Sequence, residues 1–244
     1  MWGLPSPLVG PNPGDLARTL EREWAATGEW DVLQIGGFEE DSPTLHSVAE
    51  AFGGGYTVRV GYPCRRNIAD FNGGVDEYLA RKPRKFRQNL RRAETACRRA
   101  GVQWVRISNG EPLALYQRLL AIEADSWKGK QGVGINLGDM HDFYALMVGR
   151  LAERGHLRLL FGRVDDRDVA YVLGGVDHQT FRGLQFSFRD GLDANGLGNV
   201  GQIEMMRWLT ETDDITTYDL GSYMAYKNLW SDRIFTTLSL LITR

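Results

Sequence analysis

The sequence predicts a mixed α/β chain of the α+β kind, with a mostly antiparallel sheet flanked by helices. Three observations carry this. Residues 156–188 hold three apolar runs of strand length, His156–Val164, Val169–Val176 and Thr180–Phe188, joined by polar turns at 165–168 and 177–179. Such runs and turns make an antiparallel meander. After them come a helical pattern from Gln202 to Thr210, a short β-branched run at Ile215–Leu220, a helical turn or two at Tyr223–Trp230, and an alternating strand at Arg233–Thr243. Before them, helical spacings alternate with strand-length runs from the start of the chain.

The middle run of the meander, Val169–Val176, has no polar side chain except the Tyr171 hydroxyl. A strand of that composition is buried on both faces, in the middle of its sheet. Ile234, Thr236, Leu238, Leu240 and Ile242 share one face of the last strand. In the first half, Pro5, Pro7, Pro11 and Pro13 form an extended lead-in, and Asp15 caps a helix to about Ala26 with Leu16, Leu20 and Trp24 on one side. Trp30–Ile35 and Tyr56–Val60 read as strands around a helix from Thr44 to Phe52. Pro83 opens a helix in which Phe86, Leu90, Ala93, Cys97 and Ala100 recur at helical spacing, and Gly101 stops it. Val102–Ile107 is a strand. Glu111 to about Ser126 is a helix with Leu113, Tyr116 and Leu120 together. A glycine-containing loop at 127–134 leads to a helix capped by Asp139, with Met140, Phe143, Met147 and Leu151 inward. The chain divides at residue 75/76 into a smaller β-α-β half, 1–75, and a larger half, 76–244.

At 244 residues and 43% hydrophobic content, a sizeable core is available and wholesale disorder is excluded. The net charge of -2 argues against the whole chain coating a nucleic acid. No apolar run is long enough to span a bilayer, and Met1-Trp2-Gly3-Leu4 lacks the basic start of a signal peptide. Cys64 and Cys97 have no metal or redox spacing, so both are expected reduced, in a cytoplasmic protein.

Charge is concentrated locally. Nine of the 29 basic residues fall between Arg81 and Arg99, against the single acid Glu94. A face so charged suits an anion such as a nucleotide, coenzyme A or tRNA, and Arg87 and Arg91, one turn apart, can fork on one phosphate. A solvated helix face explains the same run. Gly196-Leu197-Gly198-Asn199-Val200-Gly201, before a helix, can cradle a pyrophosphate on backbone amides, or serve as a plain surface loop. Asp219 ends a strand where α/β sheets place ligands. With Tyr226 and Lys227 it can orient an amine and a phosphate, or make a structural ion pair. Glu123, Trp127 and Lys128 beside a flexible loop suggest a substrate lip; Trp127 packing at a helix end is the alternative. The four histidines have no ligand spacing, so no metal site is expected, and no serine-hydrolase motif is present.

Several of these segments together resemble the CelD-like, FemAB-related branch of the GNAT acyltransferase superfamily. They are Lys85–Glu94 with Ala100-Gly101, Ser126-Trp127-Lys128-Gly129-Lys130, Leu157–Val164 with Val169-Ala170, the glycine loop, Tyr218-Asp219-Leu220-Gly221 and Tyr226–Trp230. The resemblance spans roughly 75–235. It implies a GNAT fold whose first half is a degenerate GNAT-like unit. It further implies an acyl-CoA such as acetyl-CoA as donor, lying at Gly196–Gly201, and a small-molecule or sugar amine as acceptor. Asp219 is then the orienting residue or base, Tyr226 the acid for the leaving thiolate, and Lys227 and Arg87 anion contacts. In Fem-type relatives an aminoacyl-tRNA replaces acyl-CoA, which makes tRNA the alternative donor. Asp193 stands where GNAT loops carry Gln or Arg, which favours a third reading, a non-catalytic binding module with an acid-lined cleft. Oligomeric state is not legible.

Overall fold

The computed structural model describes residues 12–27, 30–40, 42–191, 196–212 and 215–244. Pro5, Pro7, Pro11 and Asp193 lie outside the described residues. The chain folds into two compact units, one built from residues up to Ile68 together with Gly221–Arg244, the other from Ala69–Leu220.

The first unit holds helix α1 (Pro13–Thr27), strand β1 (Val32–Glu39), helix α2 (Pro43–Gly53), strand β2 (Thr57–Val60), most of strand β3 (Cys64–Asp70) and strand β9 (Arg233–Thr243). β9 is its axis: β1 pairs along one edge, while β2 and then β3 pair along the other, all antiparallel. Leu240 and Ile242 of β9 meet Ile35, Phe38, Val48 and Phe52 in one apolar core, with Trp24 of α1 against it. Burying such side chains is worth about 1.5–3 kcal/mol each before the entropy of ordering them is subtracted. α2 starts as its sequence dictates, Ser42 accepting the Leu45 amide at 3.2 Å with Pro43 in the first turn. Asp15 falls in the first turn of α1 and does not precede it.

The second unit contains α3 (Val75–Ala80), α4 (Arg84–Arg99), β4 (Gln103–Ile107), α5 (Pro112–Ala124), α6 (Trp127–Lys130), α7 (Gly138–Glu153), β5 (Leu157–Val164), β6 (Arg167–Asp177), β7 (Thr180–Phe188), α8 (Leu197–Thr212) and most of β8 (Thr217–Ser222). Its strand order is β8-β7-β6-β5-β4. The β5–β6 turn carries positive φ at both Asp165 and Asp166, as a tight hairpin requires. β6 sits in the middle and is buried from Val169 to Gly175, as its composition dictates. α8 covers one face and α4 packs on α8; α5 and α7 cover the other.

Three more helices differ from the sequence expectation. On α5, Leu113 is exposed, while Leu115, Tyr116 and Leu119 are buried. α7 is preceded by Leu137, so Asp139 lies in its first turn and caps nothing; Tyr144 and Val148 are its buried residues, while Phe143 is 41% exposed. This helix is apolar on more than one side, so spacing alone does not choose its inner face. α8 begins at Leu197, earlier than Gln202, and takes Gly198 and Gly201 into the helix. A Cβ at Gly198 would stand 2.5 Å from the Phe186 ring, and one at Gly201 3.1 Å from Val172 and 3.2 Å from Trp104. Close packing of helix on sheet thus outweighs the low helix propensity of glycine.

Candidate functional site

The parallel pairing of β7 with β8 is short. It joins Thr180–Arg182 to Thr217–Asp219 and stops, while β7 continues to Phe188. Arg182 and Asp219 close its end with an ion pair at 2.5 Å, both side chains mostly buried. Asp219 is therefore engaged with the Arg182 guanidinium. The Arg189 amide donates to Val169 O, so the polar backbone groups of Ser187 and Gln185 face β6, and those of Phe186 face the opposite, unpaired edge.

Lys128 reaches that edge. Its ammonium donates to Phe186 O at 2.5 Å and to Gln185 Oε1 at 2.9 Å. Burial lowers the Lys128 pKa, and the nearby Glu123 carboxylate opposes the shift. α6 places this lysine: Ser126 Oγ accepts the Gly129 amide at 3.2 Å, and Gly129 lies so close to the Glu123 carbonyl that a Cβ there would stand 2.1 Å from it. Trp127, its neighbour, is 48% exposed. The Tyr144 hydroxyl donates to Leu184 O, one bond further down β7, at 3.4 Å.

Beneath α5 lies a polar cluster. Glu123 is 0% exposed and accepts from the Tyr171 hydroxyl at 3.0 Å. Burial, with Glu123 beside it, drives the Tyr171 pKa well above the phenol range, so the hydroxyl stays a donor. Tyr116 donates to Ile135 O at 3.1 Å and His141 O at 2.8 Å; burial, with Asp142 and Glu123, pushes its pKa to about 12.

At the other end of β7, Gly196 takes φ +67 and packs on α4, where a Cβ would stand 2.6 Å from that of Ala93. Leu197, Gly198 and Asn199 then open α8, their amides being first-turn donors with no intrahelical partner. Leu197 and Val200 join Cys97 and Ala170 in the core, and Gly201 packs on the sheet. A cavity of about 600 Å³ adjoins Leu197. Five of its six charged lining residues pair with one another, Lys130 with Asp190 at 2.6 Å, Arg167 with Asp125 at 3.3 Å, and Arg189 with Asp125; Asp165 is the sixth.

On α4, Arg91 is exposed, whereas Arg87 is half-buried and its Nε has no hydrogen-bond partner among the described residues. Lys82 is buried over the Tyr78 ring at 4.3 Å, and Arg81 pairs with Glu77. These two basic residues leave the positive face. Exposed Arg84, Lys85, Arg92, Arg98 and Arg99 stay on it with Arg91.

Tyr226 and Lys227 belong to the first unit, in a 3₁₀ turn at Ala225–Leu229. Tyr226 is 60% exposed. Lys227 donates to Ser222 O at 3.0 Å. Asn67, fully buried, ties the segment down: Nδ2 donates to Asn228 Oδ1 at 3.2 Å and Ser231 Oγ at 3.0 Å, and Oδ1 accepts the Met224 amide at 3.2 Å. The sequence expectation assigned no strand to 64–70 and so missed Asn67; the polar run Arg65-Arg66-Asn67 hides a buried strand. Among the described residues there is no group of three metal-ligating side chains and no helix long and apolar enough to cross a membrane.

Residues 84–228, more than half the chain, match the acetyltransferase (GNAT) domain family. The chain belongs to that family, with a GNAT fold and Fem-related structural neighbours. FemX superposes with a TM-score of 0.65 at 12% identity, covering 92% of this chain and 75% of its own. L-PGS from Bacillus licheniformis gives 0.62 at 13%, covering 96% and 73%. A tandem GNAT protein from the clavulanic acid biosynthesis pathway gives 0.57 at 10%, covering 96% and 70%. At these identities the likeness is one of fold. No curated protein matches the sequence significantly.

Proposed function

We propose that the chain is a cytoplasmic N-acyltransferase that moves an acyl group from acyl-CoA, acetyl-CoA in the simplest case, to the amine of a small molecule or sugar precursor. The observation that carries this reading is the early end of the β7–β8 pairing at Arg182 and Asp219, which leaves that edge of β7 without a strand partner among the described residues from Gly183 onward. The residues at the helix start suit the donor: the α8 amides follow a left-handed Gly196, and Leu197 lines a cavity of ligand size. The amine nitrogen attacks the thioester carbonyl carbon, the C–N bond forms, the C–S bond breaks and the thiolate leaves. Rate comes chiefly from positioning and from polarising that carbonyl. In this proposal Asp219, held by Arg182, orients the acceptor. Arg87, Arg91, Trp127 and Lys128 contact substrate, and Tyr226 and Lys227 act as acid for the thiolate and anion contact. The transferase region begins near residue 76, close to the start of the family match. Titration of the full chain with acetyl-CoA tests the proposal: heat with competition by longer acyl-CoAs is expected, and its absence overturns it.

A second reading, an aminoacyl-tRNA donor, is favoured by the exposed basic residues of α4, which make no ion pair among the described residues. It predicts tRNA affinity falling steeply with salt; a flat response removes it.

A further inference from the structure

Six cations of α4 are exposed, and their side chains have no hydrogen-bond or ion-pair partner among the described residues: Arg84, Lys85, Arg91, Arg92, Arg98 and Arg99. They fall in three adjacent pairs, each seven residues after the last. At about 100° and 1.5 Å per residue, successive pairs stand about 10.5 Å apart along the helix and nearly in line. The six therefore make two parallel rows, Arg84-Arg91-Arg98 and Lys85-Arg92-Arg99, within an arc of about 140° and a length of about 22 Å. Gln88 and Thr95, both uncharged, lie between the rows. Glu94, the one acid of the helix, falls outside the arc and pairs with Arg207 at 2.8 Å. Phe86, Leu90 and Cys97 are buried on the opposite side.

The chemistry of this face narrows the partner. Its arc holds no apolar or aromatic side chain, so it neither enters hydrocarbon nor stacks on unpaired bases. It is a broad field of charge, mostly guanidinium, a group that forks phosphate oxygens. With these six set aside, 23 of the 29 basic residues remain against 31 acidic ones, so the rest of the chain is acidic. A polyanion that reaches past α4 meets that acid, whereas a plane touches the basic side alone. A helix carrying about four to eight basic side chains suits an anionic lipid leaflet. We propose that the exposed face of α4 docks the chain onto an anionic phospholipid bilayer, with its two rows of cations on the lipid phosphates. The proposal does not rest on the N-acyltransferase reading.

The test is sedimentation of the full chain with vesicles of equal parts phosphatidylglycerol and phosphatidylcholine, and with vesicles of phosphatidylcholine alone, at low and at high salt. It compares wild type with two variants, each first checked for a native melting transition. One combines Arg84→Gln, Lys85→Gln, Arg98→Gln and Arg99→Gln and keeps Arg87 and Arg91. The other combines Arg84→Lys, Arg98→Lys and Arg99→Lys and keeps the charge. Wild type is expected to sediment with the anionic vesicles only, at least tenfold more weakly at high salt and in the glutamine variant, while the lysine variant binds within about threefold of wild type. Equal binding by wild type and the glutamine variant, equal binding to both kinds of vesicle, or binding indifferent to salt overturns the proposal. If the glutamine variant does not fold, the salt series and the neutral vesicles decide. Bulk tRNA is titrated in parallel. Binding of tRNA without binding of vesicles overturns the proposal in favour of the aminoacyl-tRNA reading. Binding of neither leaves this face to solvent and overturns it as well.

Discussion

Tyr171 donates its hydroxyl to Glu123 across the sheet–helix boundary at 3.0 Å, the carboxylate being wholly out of water. The one polar side chain in the Val169–Val176 run of β6 thus meets the buried acid of α5. Tyr171→Phe keeps the ring and removes the donor. A buried acceptor left short of a donor costs about 1–3 kcal/mol. Urea unfolding should show a lower midpoint with an unchanged slope.

Gly198 lies against the Phe186 ring, with no room for a methyl group. Gly198→Ala should destabilise by about 1–3 kcal/mol, the usual cost of overpacking, although alanine is the better helix former. Stabilisation in a thermal melt would contradict the packing account of this glycine.

Cys97 is buried between α4 and α8, and its thiol is pushed up to about 11 by burial, helped by Glu94. A folded-state pKa raised from 9.0 contributes stability that is complete below about 9 and is lost as pH rises to about 11. Cys97→Ser should flatten that part of the stability–pH curve. At pH 8 a disulfide reagent should modify the half-buried Cys64 well before Cys97.

Asn67 holds the 223–231 segment through three side-chain hydrogen bonds. Asn67→Ala should raise hydrogen exchange at the Met224 amide by tenfold or more and cost about 1–3 kcal/mol overall. If exchange at Met224 is unchanged, Asn67 is not what fixes the turn carrying Tyr226 and Lys227.

The exposed arginines of α4 give a salt-dependent prediction. If the chain binds RNA, replacing both Arg91 and Arg92 by alanine should reduce the slope of log affinity against log salt by about 1.4–1.8, near 0.7–0.9 for each phosphate no longer neutralised. An unchanged slope would mean that this face meets no RNA.

Much of the second unit is legible in the residues. The composition of Val169–Val176 puts β6 in the middle of its sheet, the turns at 165–168 and 177–179 fall where the hairpins close, and Pro83 and Gly101 bracket α4. Less is legible where two faces compete or where tertiary contacts override local preference. Phe143 and Tyr144 are aromatic neighbours on α7, and only the surrounding core decides that Tyr144 goes in. Arg66 and Asn67 are buried at 2% and 0% in a strand that composition disguises as a loop. Of the candidate site, Asp219 and Lys128 are readable as charged groups at strand and helix ends. Their partners, Arg182 and the Phe186 carbonyl, are not, because strand register sets both contacts.

β9 comes last in the described chain, yet β1, β2 and β3 all lean on it. On a ribosome, Ala69–Leu220 is complete while β9 is still unmade, so the middle of the polypeptide can settle first. β1, β2 and β3 must wait, the edges that pair with β9 bare, until β9 emerges. Chaperone demand during synthesis should therefore fall on these three strands.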